Sequence, residues 1–230
     1  MHKLIVFDLD DTLAPIGRQM SDEDVNKLRD LEASGYRIAI CSGKPTFYLC
    51  GFMRQIGLRE PILIGENGAA IQYGVELPPK HFYIYPHSAR AAEQLRRMRE
   101  RIAALCGDRV WFQPNELELT PFPQDAEAFE LIQSLIDAHP KDLDELLIYR
   151  QVDCFDFIPK NVNKANGLAF LAELEGLTRA DFVAVGDGIN DVPMFEFADV
   201  SVGIGGKLRY ETTYSFERIG DALEELKRGI

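Results

Sequence analysis

Two acidic runs lie near opposite ends of this 230-residue chain, Asp8-Leu9-Asp10-Asp11-Thr12 and Gly186-Asp187-Gly188-Ile189-Asn190-Asp191. Each follows a short apolar run rich in branched residues. Asp8 can attack phosphorus, forming an aspartyl-phosphate and releasing an alcohol. Asp10 can reach the same centre once the chain bends, protonating the leaving oxygen and later deprotonating the attacking water. Two acids at a strand end also suit plainer tasks, holding a cation or capping a turn, and the first run alone leaves all of these open. The second run narrows the choice. Its glycines permit tight turning, and its oxygens suit hard, octahedral Mg²⁺. Asp187 is the expected principal carboxylate ligand from that loop, with Asp8 as a direct ligand and the Asp10 main-chain carbonyl as another. Asp191 and Asn190 are each read as ligating through water or orienting the metal shell. The plainer reading of this loop is a solvated turn leading into a helix cap.

Smaller elements complete an anion site. Ser42 and Gly43 offer a hydroxyl and an adjacent N–H for nonbridging phosphate oxygens. Lys164 sits at an expected helix start, where the helix dipole disfavours a lysine kept only for solubility. It can neutralise Asp8 and a transferring phosphoryl group. Lys44 reaches either the phosphate or the substrate, or is an exposed helix-start lysine.

The elements that must carry these residues alternate. Residues 4–8 read as a buried parallel strand ending on a carboxylate. Ser21 caps a helix with Asp24 three positions later and Val25, Leu28 and Leu31 as its apolar stripe. Residues 36–41 form a second strand, 47–56 a helix and 61–64 a third strand. After residue 160 the rhythm returns: Asn163 caps a helix bearing Leu168, Leu171 and Ala172, strands follow at 181–185 and 200–202, and Ile219, Ala222, Leu223 and Leu226 line a terminal helix. This is an α/β pattern, a doubly wound and mainly parallel sheet.

Residues 77–156 break that pattern. They read as an inserted α+β cap domain between core segments 1–76 and 157–230. A strand is expected near 82–85, a helix from Ser88 with Ala92, Leu95, Met98, Ile102 and Leu105 on its apolar side, and a short strand pair within 109–121. A helix near 125–138 and strands near 146–149 and 154–157 complete it. Pro78-Pro79 marks a stiff entry and Ile158-Pro159-Lys160 the return.

A formal net charge of -12 makes most of the surface repel nucleic acid and anionic membranes. The same charge repels a phosphorylated substrate, so a divalent cation and a few local cations must reverse it inside the site. The apolar runs are too short to span a bilayer, and the first residues lack the segments of a secretory signal, so a soluble, cytoplasmic protein is expected. Cys41, Cys50, Cys106 and Cys154 lack paired spacing and read as buried thiols. His2, His81, His87 and His139 lack metal-ligand spacing.

Taken in order, Asp8-Leu9-Asp10-Asp11-Thr12, Ser42-Gly43, Lys164 and Gly186-Asp187-Gly188-Ile189-Asn190-Asp191 resemble the motifs of the haloacid dehalogenase superfamily. The resemblance covers nearly the whole chain and is nearest to phosphatases of subfamily IIB, the Cof-like, sucrose-phosphatase-like and phosphoglycolate-phosphatase-like group with a large type C2 cap. It implies Asp8 as nucleophile, Asp10 as acid/base, Thr12 and Ser42 as phosphate binders, Lys164 as the neutralising cation, and Asp187 and Asp191 as the acids of a Mg²⁺ site. Asp10 at its position makes dehalogenation an unexpected activity. Two departures stand out: many relatives have glycine in place of Asp11, and threonine-glycine-arginine in place of Ser42-Gly43-Lys44. Lys44 is a point charge rather than a bidentate fork. Gly65-Glu66-Asn67-Gly68-Ala69 resembles a loop of the same branch and reads first as a hairpin turn.

The resemblance implies a small phosphorylated metabolite as partner: phosphoglycolate, a sugar phosphate such as sucrose phosphate, or a sugar-acid phosphate such as mannosyl-phosphoglycerate. The cap is expected to close over the site, with Arg90, Gln113, Asn115, Glu116 and Arg150 as candidate selectors. No basic-aromatic patch points to a polynucleotide. A phosphomutase using the same aspartyl-phosphate and a noncatalytic phosphosugar-binding protein are the alternatives, and a monomer or homodimer is expected.

Overall fold

The computed structural model describes residues 4–206 and 209–230; His2 lies outside them. The chain divides into two compact units, Met1–Tyr85 with Lys164–Ile230, and Pro86–Asn163.

In the first unit, the strands are β1 (Leu4–Phe7), β2 (Arg37–Cys41), β3 (Ile62–Gly65), β4 (Ala70–Tyr73) and β5 (Phe82–Ile84). Helices α1 (Asp22–Ala33) and α2 (Thr46–Ile56) alternate with the first three. The inserted unit contributes α3 (Ala89–Cys106), β6 (Val110–Phe112), β7 (Pro121–Pro123), α4 (Ala126–Ala138), β8 (Leu146–Arg150) and β9 (Phe155–Pro159). The chain then returns through α5 (Lys164–Glu175), β10 (Phe182–Gly186), α6 (Val192–Phe197), β11 (Val200–Ile204), β12 (Tyr214–Phe216) and α7 (Ile219–Arg228).

One sheet in the order β12-β11-β10-β1-β2-β3-β4-β5 organises the first unit. Pairings from β12 through β3 are parallel, and β4 and β5 add antiparallel edges. Strand alternation sends β1 side chains to both faces. Ile5 and Phe7 join the core with Leu28, Leu31, Leu49, Met53 and Leu223, whereas Leu4 and Val6 join Leu168, Leu171, Met194 and Phe195. Burial on both faces explains why β1 is apolar throughout. Helix α1 begins at its expected cap: Ser21 Oγ accepts the Asp24 N–H and donates to the Asp24 carboxylate.

The inserted unit packs α3 and α4 around its own core of Met98, Ile102, Ala128, Ile132, Phe155 and Phe157. Strands β6 and β7 pair antiparallel, as do β8 and β9, and a bridge between Leu119 and Phe157 joins the two pairs. Ser88 and Asp125 cap the helices. The apolar stripe of α3 differs slightly from expectation: Ala91 and Cys106 are buried, while Ala92 and Leu105 are exposed.

The unit boundaries fall later than 77 and 156. Strand β5, expected in the insertion, pairs Ala70 with Ile84 and Gln72 with Phe82, so it extends the core sheet. At the return, Phe157 sits in the insertion's core and β9 pairs with β8 through Pro159, which holds the chain in that unit until Asn163. Among the described residues all four cysteines are buried thiols outside any disulfide, and no helix is long and apolar enough to cross a membrane.

Candidate active site

The site is assembled by three adjacent parallel strands. With β1 between β2 and β10, Phe7 pairs with Ile40 on one side and Val185 on the other. One residue beyond Phe7 and two beyond Ile40 and Val185, Asp8, Ser42 and Asp187 therefore emerge together at the carboxyl edge, where open α/β sheets form their crevices. The Asp8 N–H continues the ladder by donating to the Val185 carbonyl at 2.8 Å.

Beyond Asp8 the chain turns sharply. Leu13 and Ala14 both donate N–H bonds to the Leu9 carbonyl, and Asp11 donates to that of Ala14. Asp11 takes φ 58°, the left-handed conformation that glycine occupies without a Cβ penalty. Its carboxylate accepts the Ile16 N–H at 3.1 Å, a local bond that helps an aspartate hold the position. The departure from glycine at Asp11 thus keeps the turn.

Lys164, the first residue of α5, is 1 % exposed and lies between two acids. Its Nζ donates to Asp8 Oδ1 at 2.6 Å and to Asp191 Oδ1 at 2.5 Å. Asp191, wholly buried, accepts the Asp187 and Gly188 N–H groups on its other oxygen at 3.0 and 2.9 Å. Both oxygens of Asp191 are therefore engaged by the protein. Gly186 is required here, because a Cβ would stand 2.4 Å from Asp191 Oδ2. Thr12, expected at the phosphate, donates its hydroxyl to Asp187 Oδ1 at 2.7 Å.

Asp10 and Lys44 form a separate, part-exposed pair, Oδ2 to Nζ at 3.0 Å. Ser42 is buried, and its hydroxyl accepts the Lys44 N–H at 3.2 Å, curling the Ser42-Gly43-Lys44 loop. Asn190 is exposed at the tip of its loop.

Charge is unbalanced at this centre. Asp8 is pushed up to about 7, chiefly by burial; Lys164 opposes that rise and Asp191 adds to it. Asp187 is raised as well, by burial first, against the Thr12 hydrogen bond. Burial works against the Lys164 ammonium, but Asp191 and Asp8 outweigh it and hold the group above its ordinary value. Cys41, also fully buried, is pushed up to about 12 by burial and stays an inert thiol. Asp8, Asp187 and Asp191 each offer a ligand oxygen, all within 4.8 Å of one another. One ammonium does not balance these carboxylates. Three carboxylates converge here on a single lysine, and an all-oxygen donor set is what a hard divalent cation takes. The residues fit such an ion.

Of the candidate selectors in the inserted unit, Arg90 pairs with Asp144, and Arg150 pairs with Glu130 and lies over the Phe129 ring. Gln113 and Asn115 instead join a network with Glu118, Thr120 and Asp156. Glu118 and Thr120 are buried, and in the sequence their alternation with Leu117 and Leu119 resembles any half-buried strand.

The model of the haloacid dehalogenase-like hydrolase family matches residues 5–117 and 122–207. A phosphoglycolate phosphatase of Methanosarcina acetivorans is 27% identical over 209 residues, covering 88% of this chain and 83% of the relative. The 5-amino-6-(5-phospho-D-ribitylamino)uracil phosphatase YcsE of Bacillus subtilis is 25% identical, covering 88% and 84%. Among solved structures, a haloacid dehalogenase-like hydrolase from Bacteroides thetaiotaomicron superposes with a TM-score of 0.77 at 20% identity, over 98% of this chain and 100% of that one.

Proposed function

The chain belongs to the haloacid dehalogenase-like hydrolases, in their capped, Cof-like and phosphoglycolate-phosphatase-like branch, and from that premise we propose that it is a Mg²⁺-dependent phosphatase of small phosphate monoesters. Sugar phosphates, phosphoglycolate and related sugar-acid phosphates are the proposed substrates. The observation that carries the reading is the buried Asp8–Lys164–Asp191 array at the edge of β1, with Asp187 beside it.

In the first step an oxygen of Asp8 attacks phosphorus, a P–O bond forms, and the bond to the leaving oxygen breaks. Asp10 delivers its proton to that oxygen, so an alcohol departs. Asp10, now a carboxylate, then takes a proton from water as the water oxygen attacks the phosphorus of the aspartyl-phosphate. Inorganic phosphate leaves and Asp8 is restored. Lys164 holds Asp8 in place and offsets charge on the phosphoryl oxygens, while Ser42 and Gly43 bind those oxygens. Asp8, Asp187 and the Asp10 carbonyl would hold Mg²⁺, with Asp191 keeping the loop and lysine aligned. When bound, the ion supplies charge neutralisation between the carboxylates and the incoming phosphate.

The test is a phosphate-release screen over glycolate, sugar, glycerate-linked and nucleotide monoesters. Turnover is expected only with Mg²⁺, to vanish in Asp8→Asn, and to fall about 10²–10⁴-fold in Asp10→Asn. Turnover that survives EDTA or the Asp8 change would overturn the reading. Transfer within one molecule without free phosphate would indicate a mutase instead.

A further inference from the structure

The turn between β3 and β4 is built differently from an ordinary hairpin. Glu66, Asn67 and Gly68 all take positive φ, at 50°, 54° and 105°. Two of these are non-glycine residues, for which that conformation is costly. The Ala69 N–H closes the turn on the Glu66 carbonyl, yet the N–H groups of Glu66 and Asn67 do not serve the hairpin. Glu66 donates to the Lys44 carbonyl at 3.0 Å and Asn67 to the Ser42 carbonyl at 3.0 Å. Left-handed backbone at successive residues aims both groups at the neighbouring loop.

The side-chain packing points the same way. The Asn67 amide lies against Gly43, where an added Cβ would stand 3.2 Å from its Nδ2. Gly65 approaches so closely that its Cβ would stand 2.8 Å from the Thr46 nitrogen. On the opposite side, Gly68 abuts α5: a Cβ on Gly167 would be 2.6 Å from the Gly68 Cα. Gly167 lies three residues after Lys164, on the same face of the helix. One turn therefore touches both the Ser42-Gly43-Lys44 loop and the helix that begins with Lys164.

We infer that Asn67 is a positioning residue for phosphoryl transfer: the Glu66–Gly68 turn is a wedge that sets the Ser42–Gly43 loop at its working distance from Lys164, with the Asn67 amide seating Gly43. The inference rests on the phosphatase reading and deepens it. Loop and helix are far apart in sequence and share no strand, so their spacing needs a part that touches both. A misplacement of about 1 Å can cost about 10²-fold in rate, which makes such a part consequential.

The deciding variant is Asn67→Gly. Glycine accepts φ 54° more readily than asparagine, so a purely structural turn predicts an unchanged or higher Tm and unchanged turnover. A positioning role predicts an unchanged Tm with kcat/KM reduced about 10- to 100-fold and weaker competitive inhibition by inorganic phosphate. The same change in a Ser42→Ala background should cost far less, because Asn67 acts through that loop. If Asn67→Gly melts well below the parent, Asn67→Asp, which also tolerates left-handed backbone, takes its place in the same assays. Parental kcat/KM and phosphate inhibition in a well-folded variant would overturn the inference alone. So would full additivity with Ser42→Ala. No turnover in the unaltered protein would overturn the phosphatase reading, and this inference with it.

Discussion

Replacing Lys164 by methionine is the most demanding test of the electrostatic account. Methionine keeps an unbranched apolar chain but removes the ammonium that both Asp8 and Asp191 approach, at 2.6 and 2.5 Å. Their ligand oxygens lie within 4.8 Å of each other. At an effective dielectric of about 20, two unit charges at that separation repel by about 3 kcal/mol. Mutational experience with buried ion pairs that lose one partner gives a similar cost, about 3–5 kcal/mol. For a chain of this size that is about 6–20 °C in Tm. The assay is urea unfolding in EDTA at pH 9 and pH 5.5. Asp8 is pushed up to about 7 even with the lysine present, and losing the lysine raises it further, so at the lower pH it protonates and sheds the repulsion. The deficit should therefore be large at pH 9 and shrink at 5.5. Adding Asp191→Asn to the methionine variant should recover part of the loss, since it removes one of the opposed charges. A Lys164→Met protein within about 1 kcal/mol of the parent at pH 9, or no recovery in the double variant, would refute the reasoning.

Metal and proton should compete at the same carboxylates. Because folding raises Asp8 from 3.8 to about 7, the folded protein binds more protons than the unfolded chain across that window. Its contribution to stability is present at low pH and lost as pH rises through 7. Mg²⁺ should thus raise Tm more at pH 8 than at pH 5.5, and equal gains in thermal scans would contradict this. Thr12→Val removes the hydroxyl that holds Asp187 Oδ1 at 2.7 Å. It should raise the Mg²⁺ concentration for half-maximal turnover about 10- to 100-fold, measured by titration, with a smaller effect on KM for substrate. Gly186→Ala places a methyl group 2.4 Å from Asp191 Oδ2. It should destabilise by about 1–3 kcal/mol in urea unfolding and abolish most turnover, whereas parental behaviour would show that the loop yields freely.

Much of this site was legible without coordinates because its parts are local. An apolar branched run followed by Asp8, and a second followed by Gly186-Asp187-Gly188, mark strand ends bearing acids, since a strand buried on both faces must be apolar throughout. Ser21 with Asp24 marked a helix start for an equally local reason. The order of the acidic runs, Ser42 and Lys164 carried the family resemblance, and the family model spans the same residues.

Tertiary structure decided the pairings. Lys164 is 156 residues from Asp8, and Thr12 is 175 from Asp187. The second contact follows from β1 lying beside β10, and the first from α5 packing its Leu168 and Leu171 against Leu4 and Val6 of β1, which no local pattern states. The same limit explains the boundary at Tyr85: the pattern of β5 announces a strand, but only its pairing with β4 assigns it to the core. Asn67 read as part of a hairpin, and its backbone does turn one. That its N–H meets Ser42 rather than its own strand depends on a contact between segments. Residue type and spacing determine which elements form and which groups are reactive. Only the packing of distant segments determines which of those groups meet.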